Sequence, residues 1–272
     1  MPTKIKYRIG LLLSLIGFLT SCEKVIDLQL DKSHETVVVD ALVSNLPDHS
    51  EIRLSKSSPL FSEQAYTLLQ GASVELEDQN KRVYVFQETE DGVYKSPGFL
   101  ANEGEKYALD IRWKGQHIQS ESRMPHQVMI DSIKLIISQG GIVSHNKKAY
   151  SLKVHFTDPP NEANYYRFDV FHNDSLYPGF VVSKDLLYDG ISTYQFFMNY
   201  EMRIGDTIGV LLSSIDKANY NYFLVLGQSN SPFVIAPGNP ISNIQGDAIG
   251  YFGAFAQSYQ TIIVTDQTEN NP

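Results

Sequence analysis

The 272-residue chain holds one cysteine, and its surroundings indicate what that thiol can do. Alone, Cys22 cannot form a disulfide within the chain. Lys4, Lys6 and Arg8 come first, followed by the eleven-residue, largely apolar run Ile9 to Leu19. A basic stretch before a short apolar run is the pattern of a secretory signal, and a bilayer span requires ~20 residues. Leu19-Thr20-Ser21-Cys22 follows this pattern with a branched apolar residue, two small residues and a cysteine, the lipobox of bacterial lipoproteins. The expected chemistry is acylation of the Cys22 thiol and cleavage between Ser21 and Cys22. Several acyl chains, each contributing about 0.8 kcal/mol per buried CH₂, then make a stable anchor. Glu23 rather than an aspartate follows Cys22, which favours the outer membrane over inner-membrane retention, at the cell surface or the periplasmic face.

The other reactive side chains form no catalytic signature. G-x-S-x-G, H-E-x-x-H and the phosphate-loop pattern are all missing from the sequence. Seven histidines are scattered along the chain: His34, His49, His117, His126, His145, His155 and His172. His155 and Asp158 would meet His172 and Asp174 only if their strands paired, and a metal needs three or four such ligands. Gly246, Gly250 and Gly253 in "GDAIGYFG" lie between strand-like flanks, so they read as tight turns or close strand packing rather than a phosphate cradle. Glu103, Glu105, Asp158 and Glu162 read as loop acids, and Asp158-Pro159-Pro160-Asn161 as a rigid turn. No catalytic residue, metal or cofactor is therefore expected.

Tyrosine is the more suggestive residue type. Of sixteen tyrosines, Tyr165, Tyr166, Tyr177, Tyr188, Tyr194 and Tyr200 cluster in the second half. A tyrosine offers a large, stiff contact area and a hydroxyl, which suits binding surfaces, although strands also favour tyrosine in their cores. Tyr165, Tyr166, Tyr177, Tyr188 and Tyr194 are taken as candidate binding residues, with at least a few expected on one exposed face.

These residues must be carried mostly by strands. "TVVVDALVS", "EIRLS", "ASVELED" and "KRVYVFQE" are short β-branched or alternating runs separated by turn residues. "EKYALDIRWKG" sets Tyr107, Leu109, Ile111 and Trp113 on one face and Ala108, Asp110 and Arg112 on the other. Met124-Pro125-His126-Gln127 breaks the pattern, which restarts with Ile133, Leu135 and Ile137, and then Leu152, Val154 and Phe156. "NYYRFDVFHND" has aromatics on both faces, so both faces should be covered. One segment has helical spacing, with Tyr220, Phe223, Leu224 and Gly227, capped by Asp216 or by Ser213.

The reading is a mostly β protein of two sandwich-like domains, the first immunoglobulin-like, with one short helix in the second. The expected boundaries are a signal peptide over 1–21, a tether over 22–32, sandwiches over 33–125 and 126–265, a helix near 216–228 and a frayed tail over 266–272. Without residues 1–21 the chain has 19 basic against 31 acidic side chains, a net −12, which repels phosphate backbones and excludes non-specific nucleic-acid binding.

"SCEKVIDL", "GASVELED" with "DGVYKSP", "GEKYALDI", "DPPNEANYYRFDV", the helix around Tyr220 and "PFVIAPGNPISNIQGDAIGYFGAF" occur in this order. Together they resemble a Bacteroidota lipoprotein family known as domain of unknown function 4249, over nearly the whole chain after Cys22. The resemblance implies a two-domain, mostly β outer-membrane lipoprotein with a prealbumin-like or carboxypeptidase-regulatory-like first domain. It also implies work beside a TonB-dependent outer-membrane receptor, and it supplies no catalytic residues. The expected function is a non-catalytic, lipid-anchored accessory protein that binds a nutrient, the receptor or both. The alternatives are a structural or adhesive lipoprotein and a glycan or peptide hydrolase.

Overall fold

Alternation of apolar and polar residues sets the strands. The computed structural model describes residues 36–57, 67–137, 148–185, 188–229 and 238–265. The signal with Ser21 and Cys22, the 22–32 tether and the 266–272 tail lie outside the described residues. The first half forms β1 (Val37–Ser44), β2 (Glu51–Lys56), β3 (Ser73–Asp78), β4 (Val83–Glu90), β5 (Val93–Lys95), β6 (Lys106–Trp113) and β7 (Gln116–Arg123). β1 buries Val37, Val39, Ala41 and Val43 while Val38, Asp40 and Leu42 face the other way. β6 buries Tyr107, Leu109 and Ile111, as its period of two requires.

These strands make a sandwich because β4 changes partners part-way. Val83–Phe86 pair with β3, and Gln87–Glu90 pair with β5 across a register shift between Glu88 and Glu90. An irregularity of this kind turns a sheet corner. The β1–β2–β5 layer therefore faces the β3–β6–β7 layer, with Ile52, Leu54, Val74, Leu76, Phe86 and Tyr94 among the residues packed between them.

The second half adds β8 (Ile130–Ile137), β9 (Lys148–Thr157), β10 (Tyr165–His172), β11 (Ser175–Leu176), β12 (Val181–Lys184), β13 (Ser192–Met202), β14 (Thr207–Ile215), α1 (Lys217–Ser229) and β15 (Ala248–Ile263). A three-stranded sheet of order β13–β9–β8 supplies Ile133, Leu135, Leu152, Val154, Phe156 and Phe197 to a second core. Tyr166, Phe168 and Val170 of β10 and Ile208, Val210 and Leu212 of β14 close that core from the opposite layer.

β15 serves both cores. Its first eight residues, Ala248–Phe255, pair in parallel with β1, and its last eight, Ala256–Ile263, pair antiparallel with β14. Gly250 permits the first pairing: its φ is +116°, and a Cβ there would lie 1.9 Å from the Val39 carbonyl oxygen. A Cβ on Gly253 would strike the Phe255 ring, which stacks on Tyr251. The glycines of "GDAIGYFG" are thus a strand-packing device.

α1 is the one helix among the described residues, and the Asp216 Oδ1 caps it by accepting the Asn219 N–H at 2.8 Å. Ser213 belongs to β14. Tyr220 and Phe223 pack on the outward face of the sheet with Phe255, Tyr251, Phe180 and Tyr165. This helix covers the second face of β10 that the aromatic pattern requires.

Candidate functional site

The outer face of the β13–β9–β8 sheet is one place, among the described residues, where neighbouring large side chains are left open. Register fixes its rows: Tyr194 lies beside His155 and then Ser132, and Phe196 beside Lys153 and then Lys134. Ile136 is level with Ser151 one row further on. The period of two explains the arrangement, since Val154, Leu152 and Phe197 point into the core while their neighbours point out. Beyond Phe197 the β13 register shifts, and Met198 lies in that irregularity. Tyr194 is 52% exposed, Phe196 40%, Met198 67% and Ile136 38%.

Polar groups interleave with these apolar ones. Lys153 Nζ sits 3.9 Å from the centroid of the Tyr194 ring, a cation–π contact, and the His155 ring lies 5.6 Å from the same ring. Burial, followed by the charges of Lys153 and Lys134, holds the His155 imidazole below its ordinary value, so it is neutral at pH 7. Asp131 accepts a hydrogen bond from the Thr157 hydroxyl at 2.9 Å and works against that lowering. Neither Lys134 nor Lys153 has a carboxylate partner among the described residues. An aromatic and aliphatic face with two lysines suits contact with another macromolecule.

Of the tyrosines singled out in the sequence, only Tyr194 is on this face. Tyr166 is fully buried in the second core, its hydroxyl donated to Asp158. Tyr165 packs against Tyr220 of α1 at 5.1 Å. Tyr177 packs against Tyr200 at 4.5 Å, and burial pushes the Tyr200 phenol up to about 12. Tyr188 is hydrogen-bonded to Ser183 and meets Phe156 edge-on. The group therefore does not gather on one surface.

Comparison with known families settles the relationship. The model of the family described as Domain of unknown function (DUF4249) matches residues 23–261. The chain belongs to the DUF4249 family. No curated protein matches this DUF4249 chain. Among solved structures it is similar to a native α-L-rhamnosidase from Aspergillus terreus at 14% identity and a TM-score of 0.29, covering 67% of this chain and 27% of that one. It is also similar to a DUF4785 family protein from Legionella pneumophila at 13% identity and a TM-score of 0.23, covering 68% of this chain and 53% of that one. At those scores neither likeness bears on function.

Other clusters in this DUF4249 protein have structural work. Asp158, Asp185 and Asp189 bring carboxylate oxygens within 4.8 Å of one another, the kind of group that could hold a cation. Each already anchors a loop: Asp158 accepts the Tyr166 hydroxyl and the Gly190 N–H, Asp185 the Asn164 N–H, and Asp189 the Asn161 N–H. Burial raises the Asp158 carboxyl above its ordinary value, against the pull of these hydrogen bonds. His155 and His172 stand on different sheets, and His172 pairs with Asp206 at 2.8 Å, so the His155–Asp158–His172–Asp174 grouping does not form.

Two hollows flank the helix-bearing face. A groove of about 840 Å³ is lined by Val38, Asp40, Arg53, Ser55, Glu90 and Asp91 among others. A smaller one of about 180 Å³ lies over Arg167, Asp169, Ser213 and Gln257. The sequence reading missed Lys134, Lys153, Phe196 and Met198. The alternation in "TYQFFMNY" hinted at Phe196, but only the strand register places the lysines beside it.

Proposed function

We propose that this DUF4249 chain is a lipid-anchored outer-membrane protein of Bacteroidota, associated with the cell surface. It works without catalysis beside a TonB-dependent receptor, binding the receptor, a nutrient or both. The observation that carries the binding role is the exposed set Tyr194, Phe196 and Met198 along one edge strand, in a chain whose other candidate tyrosines are packed. Aromatic and methionine side chains are enriched at protein interfaces. The nutrient role is supported by the groove over β1 and β2, whose volume of about 840 Å³ lies within the range of small-molecule sites, about 300–1,000 Å³. The anchor rests on Leu19-Thr20-Ser21-Cys22.

The test is purification from outer membranes in mild detergent. A TonB-dependent receptor is expected to come with the wild-type protein, and unrelated proteins alone would overturn the reading. Cys22→Ser should release the chain from the membrane fraction, and a native form that carries no fatty acid would remove the anchor.

A further inference from the structure

The chain is acidic, and several of its basic side chains are paired with carboxylates. Lys81 pairs with Glu77 at 2.6 Å, Lys95 with Glu51 at 3.1 Å and Lys106 with Glu121 at 2.5 Å. Lys134 and Lys153 differ in being two cations brought face to face. They stand directly opposite one another in the β8–β9 register, on the outer face, with no carboxylate partner among the described residues. Like charges directly opposite on a sheet destabilise it. The next strand adds the exposed Phe196 in the same row and Tyr194 one row away, under the Lys153 ammonium.

We propose that this face is the docking surface for an acidic loop of a partner protein. A carboxylate of the loop sits between Lys134 and Lys153, and its apolar side chains cover Tyr194, Phe196 and Met198. The inference rests on the reading above, which makes the outer-membrane receptor the partner. A carboxylate between the two ammonium groups turns a repulsive row into an attractive one, and the surrounding rings and Met198 thioether keep water from the contact. An anionic bilayer fits less well. The chain carries a net charge of −9, so a lipid plane meets an acidic molecule along with the two lysines, whereas a protein loop meets the lysines alone.

The experiment uses the full-length chain in its native membrane. A photo-crosslinking residue, p-benzoylphenylalanine, replaces Tyr194 in one variant and Val85, an exposed residue of β4, in another. After irradiation and mild-detergent purification, adducts are identified by mass spectrometry. The expected result is an adduct from position 194, and none from 85, to an acidic loop of the TonB-dependent receptor. K134E/K153E should lower receptor recovery at least tenfold, and exchanging the loop acids for lysine should restore it.

If the receptor comes with the wild type but K134E/K153E recovers it equally, or position 194 gives no adduct with it, the inference fails and the functional reading stands. An adduct to lipid alone also overturns the inference. If no receptor accompanies the wild type, both fail. Should the charge-reversed variant not fold, K134Q/K153Q answers the question: at least a threefold loss supports the loop, and unchanged recovery overturns it.

Discussion

Arg167 offers the sharpest test of how α1 is held to the sheet. Its Nε lies 3.0 Å from Asp169 Oδ2 and its Nη2 2.8 Å from Asp169 Oδ1, a two-pronged ion pair. The guanidinium carbon is 4.6 Å from the Phe180 ring centroid and 4.3 Å from that of Phe223. Burial opposes the charge on Arg167, but the Asp169 carboxylate outweighs it and holds the group above its ordinary value. Arg167→Met keeps most of the stem's volume and leaves the buried Asp169 without its cation. Breaking one side of a buried pair costs about 3–5 kcal/mol.

For a chain of this size each kcal/mol moves the midpoint by about 2–4 °C, so R167M should melt ~6–20 °C lower. Replacing both charges, as in R167M/D169L, should recover much of that loss, because the desolvation of both ions disappears with them. Circular dichroism melts give the midpoints, and hydrogen exchange over Lys217–Ser229 should accelerate in the single variant. A cost below about 1 kcal/mol for R167M, or a double variant no more stable than the single one, would refute the reasoning.

Three further outcomes follow from local geometry. Gly250→Ala puts a Cβ against the Val39 carbonyl at a φ of +116°, so a loss of about 3–6 kcal/mol is expected in urea denaturation, whereas Gly98→Ala, with open space around it, should cost ~1 kcal/mol. Asp206 is held at about 2, below its ordinary 3.8: burial works against its charge, but hydrogen bonds from the Arg203 N–H, Asn173 and His172 outweigh that. A carboxyl depressed by folding adds stability above its unfolded value and loses it as pH falls through the folded one. D206N should therefore lower the urea midpoint at pH 7 and flatten its fall between about pH 4 and pH 2. Asp216→Ala removes both the α1 cap and the acceptor of the Ser122 hydroxyl at 2.6 Å, so ~1–2 kcal/mol should be lost, with α1 exchanging first.

The strands were legible where one face is buried and the other wet. β6 alternates cleanly, β9 alternates from Leu152 onward, and the helix expected near 216–228 spans Lys217–Ser229. Asp216 rather than Ser213 caps it because Ser213 continues the β14 ladder opposite Gln257. The tyrosines were harder. Tyr165 and Tyr166 are neighbours on opposite faces of β10, and both are covered, one by α1 and one by the second core. Residue type does not say which face another element will cover. The lysine row depends on register between β8 and β9, which alternation alone leaves open. Asp158 read correctly as part of a turn, but its burial comes from Tyr166 on the facing sheet, a contact that no local pattern encodes.

The shared strand has a consequence for how the chain reaches its folded state. Val37 aligns with Ala248, so the first strand to emerge waits for nearly the last before its open edge is filled. Contacts between residues so distant in sequence form slowly. Neither core can be sealed early by residues made before it, because both are closed by the same sixteen-residue segment, Ala248–Ile263. Until that segment arrives, β1 and β14 each present an unfilled ladder to any passing chain, which makes the unfinished polypeptide a natural client for a chaperone.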